Sequence, residues 1–205
     1  MFYEPKHGHG LARDPFKALI APRPIGWFTT LNEDGTTNLG PYSFFNAVGD
    51  EPPVIFFSAG PRSDGRLKDS ARNAEERGEF VHNMVTWDLR EAMNTSSTAV
   101  EPGVDEVALA DLVLAESKVI RTPRLAASPV SMECRYTQTI EIAQNSKAGP
   151  SRLIFGEVVG IHIDESIMTD GRIELAKAKP IARLGYAEYA VVNADTIFRI
   201  VRPDV

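Results

Sequence analysis

The strongest constraint on this chain is the alternation from Val130 to Ile142. Val130, Met132, Cys134, Tyr136, Ile140 and Ile142 share one face, with Gln138 the polar exception. Ser131, Glu133, Arg135, Thr137, Thr139 and Glu141 share the other. A period of two marks a half-buried strand, usually antiparallel. A polar turn from Gln144 to Pro150 leads to a second long strand, Arg152 to Ile163, where Gly156 and Gly160 permit sharp bending. So long a hairpin predicts a curved sheet closing into a barrel. Glu157 is out of place on the apolar face of Leu153, Phe155, Val159 and Ile161, and Arg183 is a candidate partner.

Other strands are short. Ile25 to Leu31 is β-branched and aromatic, Asn32-Glu33-Asp34-Gly35 supplies hairpin chemistry, and Thr36 to Leu39 returns. Val54 to Ser58, after Pro52-Pro53, reads as buried on both faces, and Phe80 to Val85 as another strand. Helices are expected over Asp69–Arg77, stopped by Gly78, and over Thr86–Met93, Asp105–Leu114 and Arg172–Lys177. Strand–turn–strand units dominate. The expected fold is therefore mainly β, an antiparallel barrel with peripheral helices, and a doubly wound α/β sheet is the alternative.

Composition excludes several functions. With 22 basic and 28 acidic residues the formal charge is −6, a poor match for nucleic acid or an anionic membrane. Cys134 is the one cysteine, so neither an internal disulfide nor a cysteine-rich metal site can form, and a reducing, cytoplasmic setting is expected. No apolar run approaches the roughly 20 residues of a membrane span, and the N-terminus lacks a signal-peptide core. No metal site is expected: His7 and His9 sit in a terminal His-Gly-His-Gly, and His82 and His162 read as core or rim residues. Walker, nucleophile-elbow, zincin and Rossmann motifs are absent.

Two stretches can carry chemistry. From Ser58 to Asn73 a buried strand ends, a Gly/Pro loop carries Arg62, Arg66 and Lys68, and a helix begins near Ser70. Cations, hydroxyls and the free N–H groups of a helix start are what a phosphate group needs. The plain alternative is a solvated loop with ordinary capping. From Asn38 to Asn46, Gly40 and Pro41 interrupt a strand beside Tyr42, Phe44 and Phe45, which would free backbone polar groups next to aromatic surface. That combination suits a flat heteroaromatic ligand. Equally, Phe44 and Phe45 would serve as core under a rim loop.

The ordered blocks Pro22-Arg23-Pro24-Ile25-Gly26-Trp27-Phe28-Thr29-Thr30, Asp34-Gly35, Asn38-Leu39-Gly40-Pro41-Tyr42-Ser43-Phe44-Phe45-Asn46, Pro52-Pro53-Val54, Gly65-Arg66-Leu67-Lys68-Asp69-Ser70 and Gly78-Glu79-Phe80-Val81-His82-Asn83 resemble the flavin reductase-like, FMN-binding split-barrel family, which includes flavoredoxin. The likeness spans about residues 15 to 190 and implies one domain over 1–205, with 191–205 as a C-terminal extension. It implies an antiparallel Greek-key split barrel, commonly a homodimer with FMN near the subunit interface. By position, Tyr42, Ser43, Phe44 and Asn46 would lie along the isoalloxazine, with Trp27 and Thr29 on the adjoining strand. Ser58, Arg66, Lys68 and Ser70 would hold the phosphate, and Asn83 would lie near the ribityl chain or ring. Ser70 stands where relatives often have Thr, and Gly40 where Ala is frequent. Arg183, Gly185, Tyr186 and Tyr189 are expected to approach the ring of either subunit.

The function this resemblance implies is an NAD(P)H:flavin oxidoreductase, with FMN favoured over FAD and the nicotinamide nucleotide a transient reductant. Redox chemistry belongs to the flavin while the protein binds and orients it, so no catalytic acid or base is assigned. An FMN electron carrier serving protein partners, and a barrel binding an apolar molecule without redox chemistry, are the alternatives. The choice between NADH and NADPH, and the electron acceptor, stay open at this stage.

Overall fold

A computed structural model describes residues 1–98, 100, 104–144 and 148–203. Its main sheet has seven strands, in the spatial order Thr37–Tyr42, Gly26–Leu31, Glu79–Met84, Val130–Ile142, Ser151–Ile163, Pro53–Ala59 and Phe45–Asp50. Every neighbouring pair is antiparallel. The two edge strands are consecutive in sequence, joined only by Ser43 and Phe44. The sheet must therefore curl until its edges meet at that link, where they are not laddered together. This is an open, split barrel.

The curvature comes from where the long hairpin predicts it. Register shifts occur at Phe155/Gly156 and at Val158/Gly160, and a bulge bends a strand and tightens its twist. A Cβ on Gly156 would fall 2.4 Å from Cζ of Phe80, so only glycine fits over that ring. Inside the barrel Phe28 stacks on Phe57 with centroids 4.3 Å apart, and Phe80, Tyr42, Ile154, Val158 and Cys134 close around them. Each fully buried ring contributes about 1.5–3 kcal/mol. Burial also raises the Cys134 thiol pKa and keeps it unreactive.

The Gly26–Leu31 strand is covered on both faces. Phe28 points into the barrel, while Trp27 points out to a second cluster with Leu39, Val85, Met93, Leu125 and Ile181. Short helices at Arg90–Thr95 and Glu106–Leu109 flank it, as does a small sheet of Arg23–Pro24, Ile181–Arg183 and Tyr189–Val191. No helix among the described residues is long and apolar enough to cross a membrane.

Local expectations failed where distant segments intervene. The helix expected over Thr86–Met93 starts later because Thr86 bridges to Pro180 and the Trp87 N–H donates to the carbonyl of Lys179. The one expected over Asp105–Leu114 stops at Leu109, with Asp111 left-handed at φ 52°. The Asp105 carboxylate does cap it, accepting from the N–H groups of Val107 and Ala108. Arg172–Lys177 splits into a strand, Arg172–Ile173, and a helix, Leu175–Ala178. Gly40 and Pro41 do not break their strand; they pair with Phe28 and Trp27 inside it. Val54–Ser58 is not buried on both faces: Ile55 and Phe57 point inward while Val54, Phe56 and Ser58 stay partly exposed. Of the expected turn from Gln144 to Pro150, residues 145–147 lie outside the described ones.

The long alternating strand keeps Val130 and Cys134 in the core as expected, but it is buried on both sides at its start and open at its end. Ile140 and Ile142 are 43% and 42% exposed, whereas Ser131 and Glu133 on the polar face are fully buried. The cause is the overlying segment 117–125. Glu133 accepts the N–H groups of Lys118, Val119 and Ile120 at 2.7, 2.7 and 3.0 Å, and its Oε1 lies 2.6 Å from His162 Nε2. Burial alone would push this carboxyl up, but those donors together hold it at about 2. Glu79 binds the next residues in the same way, accepting from the Arg121 and Thr122 N–H groups at 3.1 and 2.9 Å. His162 is thus a rim residue on a carboxylate. His82 is a core residue: it stacks on Phe45 at 4.6 Å, and burial pushes its pKa down to about 4. Glu157 and Arg183 make no ion pair; Glu157 lies opposite Arg135 and Arg183 opposite Arg23.

Candidate functional site

Three adjoining clefts follow the edge strand Thr37–Tyr42 and its continuation through Ser43. The first, of about 330 Å³, lies between Asn38–Tyr42, the Pro61–Ser63 loop, the start of the Asp69–Arg77 helix and Ser96–Thr98. Lys68 immediately precedes that helix, and no side chain caps the helix start. Its Nζ is 5.4 Å from the centre of the Tyr42 ring, and it makes no ion pair among the described residues. Burial, then Arg62 and then Lys17, lowers its pKa. Arg62 leans from the loop with Nη1 3.5 Å from Asp69 and Nη2 donating to the Val100 carbonyl at 3.2 Å.

The floor of this cleft is a polar network. Asn38 donates from Nδ2 to Ser70 Oγ at 2.9 Å and to Thr30 Oγ1 at 3.1 Å. The buried Tyr42 hydroxyl is linked to Ser70, and burial pushes it up to about 12. Glu106 enters from the side, accepting the Leu39 N–H at 3.3 Å, and burial raises its pKa. The second cleft, of about 360 Å³, shares Pro41, Tyr42 and Ser97 with the first and adds Lys17, Arg23, Arg183, Tyr186 and Tyr189. The third, of about 370 Å³, turns around the link between the edges, with Ser43, Phe44, Asn46, Phe56, Ser58 and Leu153.

The family model for the flavin reductase like domain matches residues 19–181, which hold the seven-stranded barrel and the first and third clefts, while Asp14, Lys17, Arg183, Tyr186 and Tyr189 of the second lie outside it. The chain belongs to the flavin reductase-like, FMN-binding split-barrel family. An uncharacterized protein of Aquifex aeolicus is 37% identical over 83% of this chain and 85% of its own length. Nitrilotriacetate monooxygenase component B from Bacillus cereus is 32% identical, with a TM-score of 0.87 over 98% of both chains. A split barrel domain protein from Shewanella frigidimarina shares the fold at 19% identity, with a TM-score of 0.81 over 99% of this chain and 100% of its own.

Within this flavin reductase-like frame the expected site residues separate into groups. Tyr42, Lys68 and Ser70 meet at the first cleft, and Ser43, Phe44, Asn46 and Ser58 at the third. Arg183, Tyr186 and Tyr189 join Tyr42 and Ser43 in the second, while Gly185 packs behind them on Ala18. Trp27, Thr29 and Asn83 are fully buried. Trp27 Nε1 donates to Ser96 Oγ at 2.9 Å, and Thr29 Oγ1 to the Pro123 carbonyl at 2.6 Å. Asn83 Oδ1 accepts the Leu125 N–H at 2.9 Å and the Ser131 hydroxyl at 3.0 Å. None of the three lines a cleft; Trp27 holds Ser96, which lines the first. Arg66 pairs with Asp64 at 2.7 Å, and Arg62 takes the inner position in the loop. The basic loop signalled Arg62 in sequence; Glu106 and Ser96–Thr98, brought in by folding, had no such local signal.

These residues fit FMN. An ammonium at the cleft mouth that pairs with no carboxylate among the described residues, beside a helix start with no side-chain cap, suits a phosphate. Aromatic and backbone surface continues from there along Pro41–Ser43 to Phe44 and the third cleft, which suits a flat ring.

Proposed function

We propose that this chain is an FMN-dependent reductase that takes electrons from NAD(P)H and delivers them to a separate acceptor. The observation that carries the reading is Lys68, a cation with no carboxylate partner among the described residues, set over the ring of Tyr42 on the edge strand. Bound FMN would supply a hydride acceptor and a store of two electrons.

The chain's own residues bind and shield. Lys68 and Arg62 would neutralise the phosphate, with the start of the Asp69–Arg77 helix adding partial positive charge. The Asn38–Ser70–Tyr42 network holds the cleft floor rigid, because each hydroxyl already has its partner. Ser43, Phe44, Asn46 and Ser58 would border the ring where the two sheet edges meet. Arg66 would act as an outer cation, released from Asp64 toward the phosphate.

A homodimer belongs to the same proposal. Outside the barrel, Phe56 and Phe155 lie 5.8 Å apart, with Leu153 and the exposed Ile140 and Ile142 nearby. A second copy would cover that face and close the third cleft, which already reaches Leu153.

The test is to load the protein with FMN and add NADH or NADPH without oxygen. Rapid loss of the flavin absorption with either nucleotide supports the reductase. Reduction only by a redox protein would make it a carrier, and failure to retain FMN would end the reading.

A further inference from the structure

Arg23 and Arg183 face each other across antiparallel strands as direct register partners. Like charges placed so are destabilising unless something sits between them. Among the described residues neither makes an ion pair, nor does Lys17, which lines the same cleft with Asp14. Arg23 is 6% exposed; its Nη atoms donate to the carbonyls of Lys17, Ile20 and Leu184, but its buried Nε has no partner. Those carbonyls satisfy part of the fork without cancelling its charge. Burial and then Arg183 both lower the Arg23 pKa, in keeping with two cations that lack a counterion.

The rim is aromatic and preset. Arg183 donates to the Tyr189 hydroxyl and the Tyr186 carbonyl, and its guanidinium lies 4.5 Å from the Tyr189 ring centre. Tyr186 is held in the left-handed region at φ 53°, rare for a bulky residue and typical of ligand clamps. Gly185 beneath it is pressed on the Phe16–Leu19 helix, where a Cβ would come 2.5 Å from that of Ala18. The cleft measures about 360 Å³, near the lower end of small-molecule sites and the scale of one substituted ring.

We propose that the Arg23–Arg183 cleft is a binding site for a small aromatic carboxylate, its anionic group held by Arg183 and Lys17 in the field of Arg23 and its ring against Tyr186 and Tyr189. A planar guanidinium fork matches a planar carboxylate, and the tyrosines supply ring surface. The site shares Pro41 and Tyr42 with the phosphate-side cleft. That the ligand lies beside a flavin rests on the function proposed above; the anion site itself does not.

The experiment is calorimetric titration of the FMN-loaded and flavin-free protein with benzoate, neutral benzamide and inorganic pyrophosphate at fixed ionic strength. Benzoate is expected to bind, and benzamide at least tenfold more weakly. Arg183→Gln should raise the benzoate dissociation constant at least tenfold, and the exposed Lys17→Gln about threefold, the latter with FMN affinity changing less than twofold. If Arg183→Gln fails to fold, Lys17→Gln and the benzamide comparison decide. No benzoate binding, equal binding of benzamide, or a Lys17→Gln constant equal to that of the unaltered protein would overturn the proposal. So would pyrophosphate binding more tightly than benzoate and displacing it, since the cleft would then serve a nucleotide. Should the protein refuse FMN yet discriminate benzoate from benzamide, the flavin reading falls and the anion site stands.

Discussion

The two ends of this barrel treat buried charge in opposite ways. Under the 117–125 segment, Glu133 and Glu79 accept a full set of donors, so their charges are spent on the fold. Beside the edge strand, Lys68, the buried Arg23 and the half-buried Arg183 make no ion pair among the described residues. Desolvating an ion costs several kcal/mol unless partners offset it. A buried charge with every partner present is structure, and one left without its counterion marks a place for a ligand.

The sharpest way to break that contrast is at Glu133. Glu133→Ala strands the N–H groups of Lys118, Val119 and Ile120, the last of them buried, together with His162, and a loss of about 3–5 kcal/mol is expected in urea unfolding. FMN content per folded molecule should be unchanged; a large loss of flavin would erase the distinction between the two ends.

Acid should act on the structural side. His82 is neutral in the fold, with a pKa of about 4 against about 6.5 when unfolded, so the unfolded chain takes up the proton first. Stability is then complete above about pH 6.5 and declines by up to about 3 kcal/mol as pH falls toward 4. Unfolding curves across that window should flatten in His82→Phe. The Glu133 contribution, present above about pH 4.3, is lost only as pH falls through about 2.

Lys68→Met tests the ligand side. It should weaken FMN binding by 1.5–3 kcal/mol, roughly 10- to 150-fold, as expected for losing a charged hydrogen bond. The flavin-free protein should melt no lower, because an uncompensated cation has been removed. Equal destabilisation with and without FMN would make Lys68 structural. The smallest effect is expected at Arg66→Ala, whose exposed pairing with Asp64 can be lost without a shift in the flavin-free melting curve. Weaker FMN retention than in the unaltered protein, but less so than in Lys68→Met, would mark Arg66 as the outer cation.

Legibility followed chain distance. The basic loop and the aromatic Gly/Pro strand are contiguous, so Lys68, Ser70, Tyr42 and Ser43 could be placed in clefts before any coordinates were considered. Trp27, Thr29 and Asn83 sit within the matching motifs, but their partners are Ser96, Pro123 and Leu125, brought in from far along the chain. Their burial and hydrogen bonds place them away from the clefts. The opposition of Arg23 to Arg183 is similarly silent in sequence, because 160 positions separate the two registers.

What the amino-acid order decided alone was the long bent hairpin, its two glycine bends, the helix stop at Gly78 and the position of the cations, all set by steric and hydrophobic preferences of neighbouring residues. Which face of each strand met water was settled by the assembled barrel. Ile140 is exposed and Glu133 buried because burial depends on what packs above a strand, and that covering segment folds back from elsewhere in the chain.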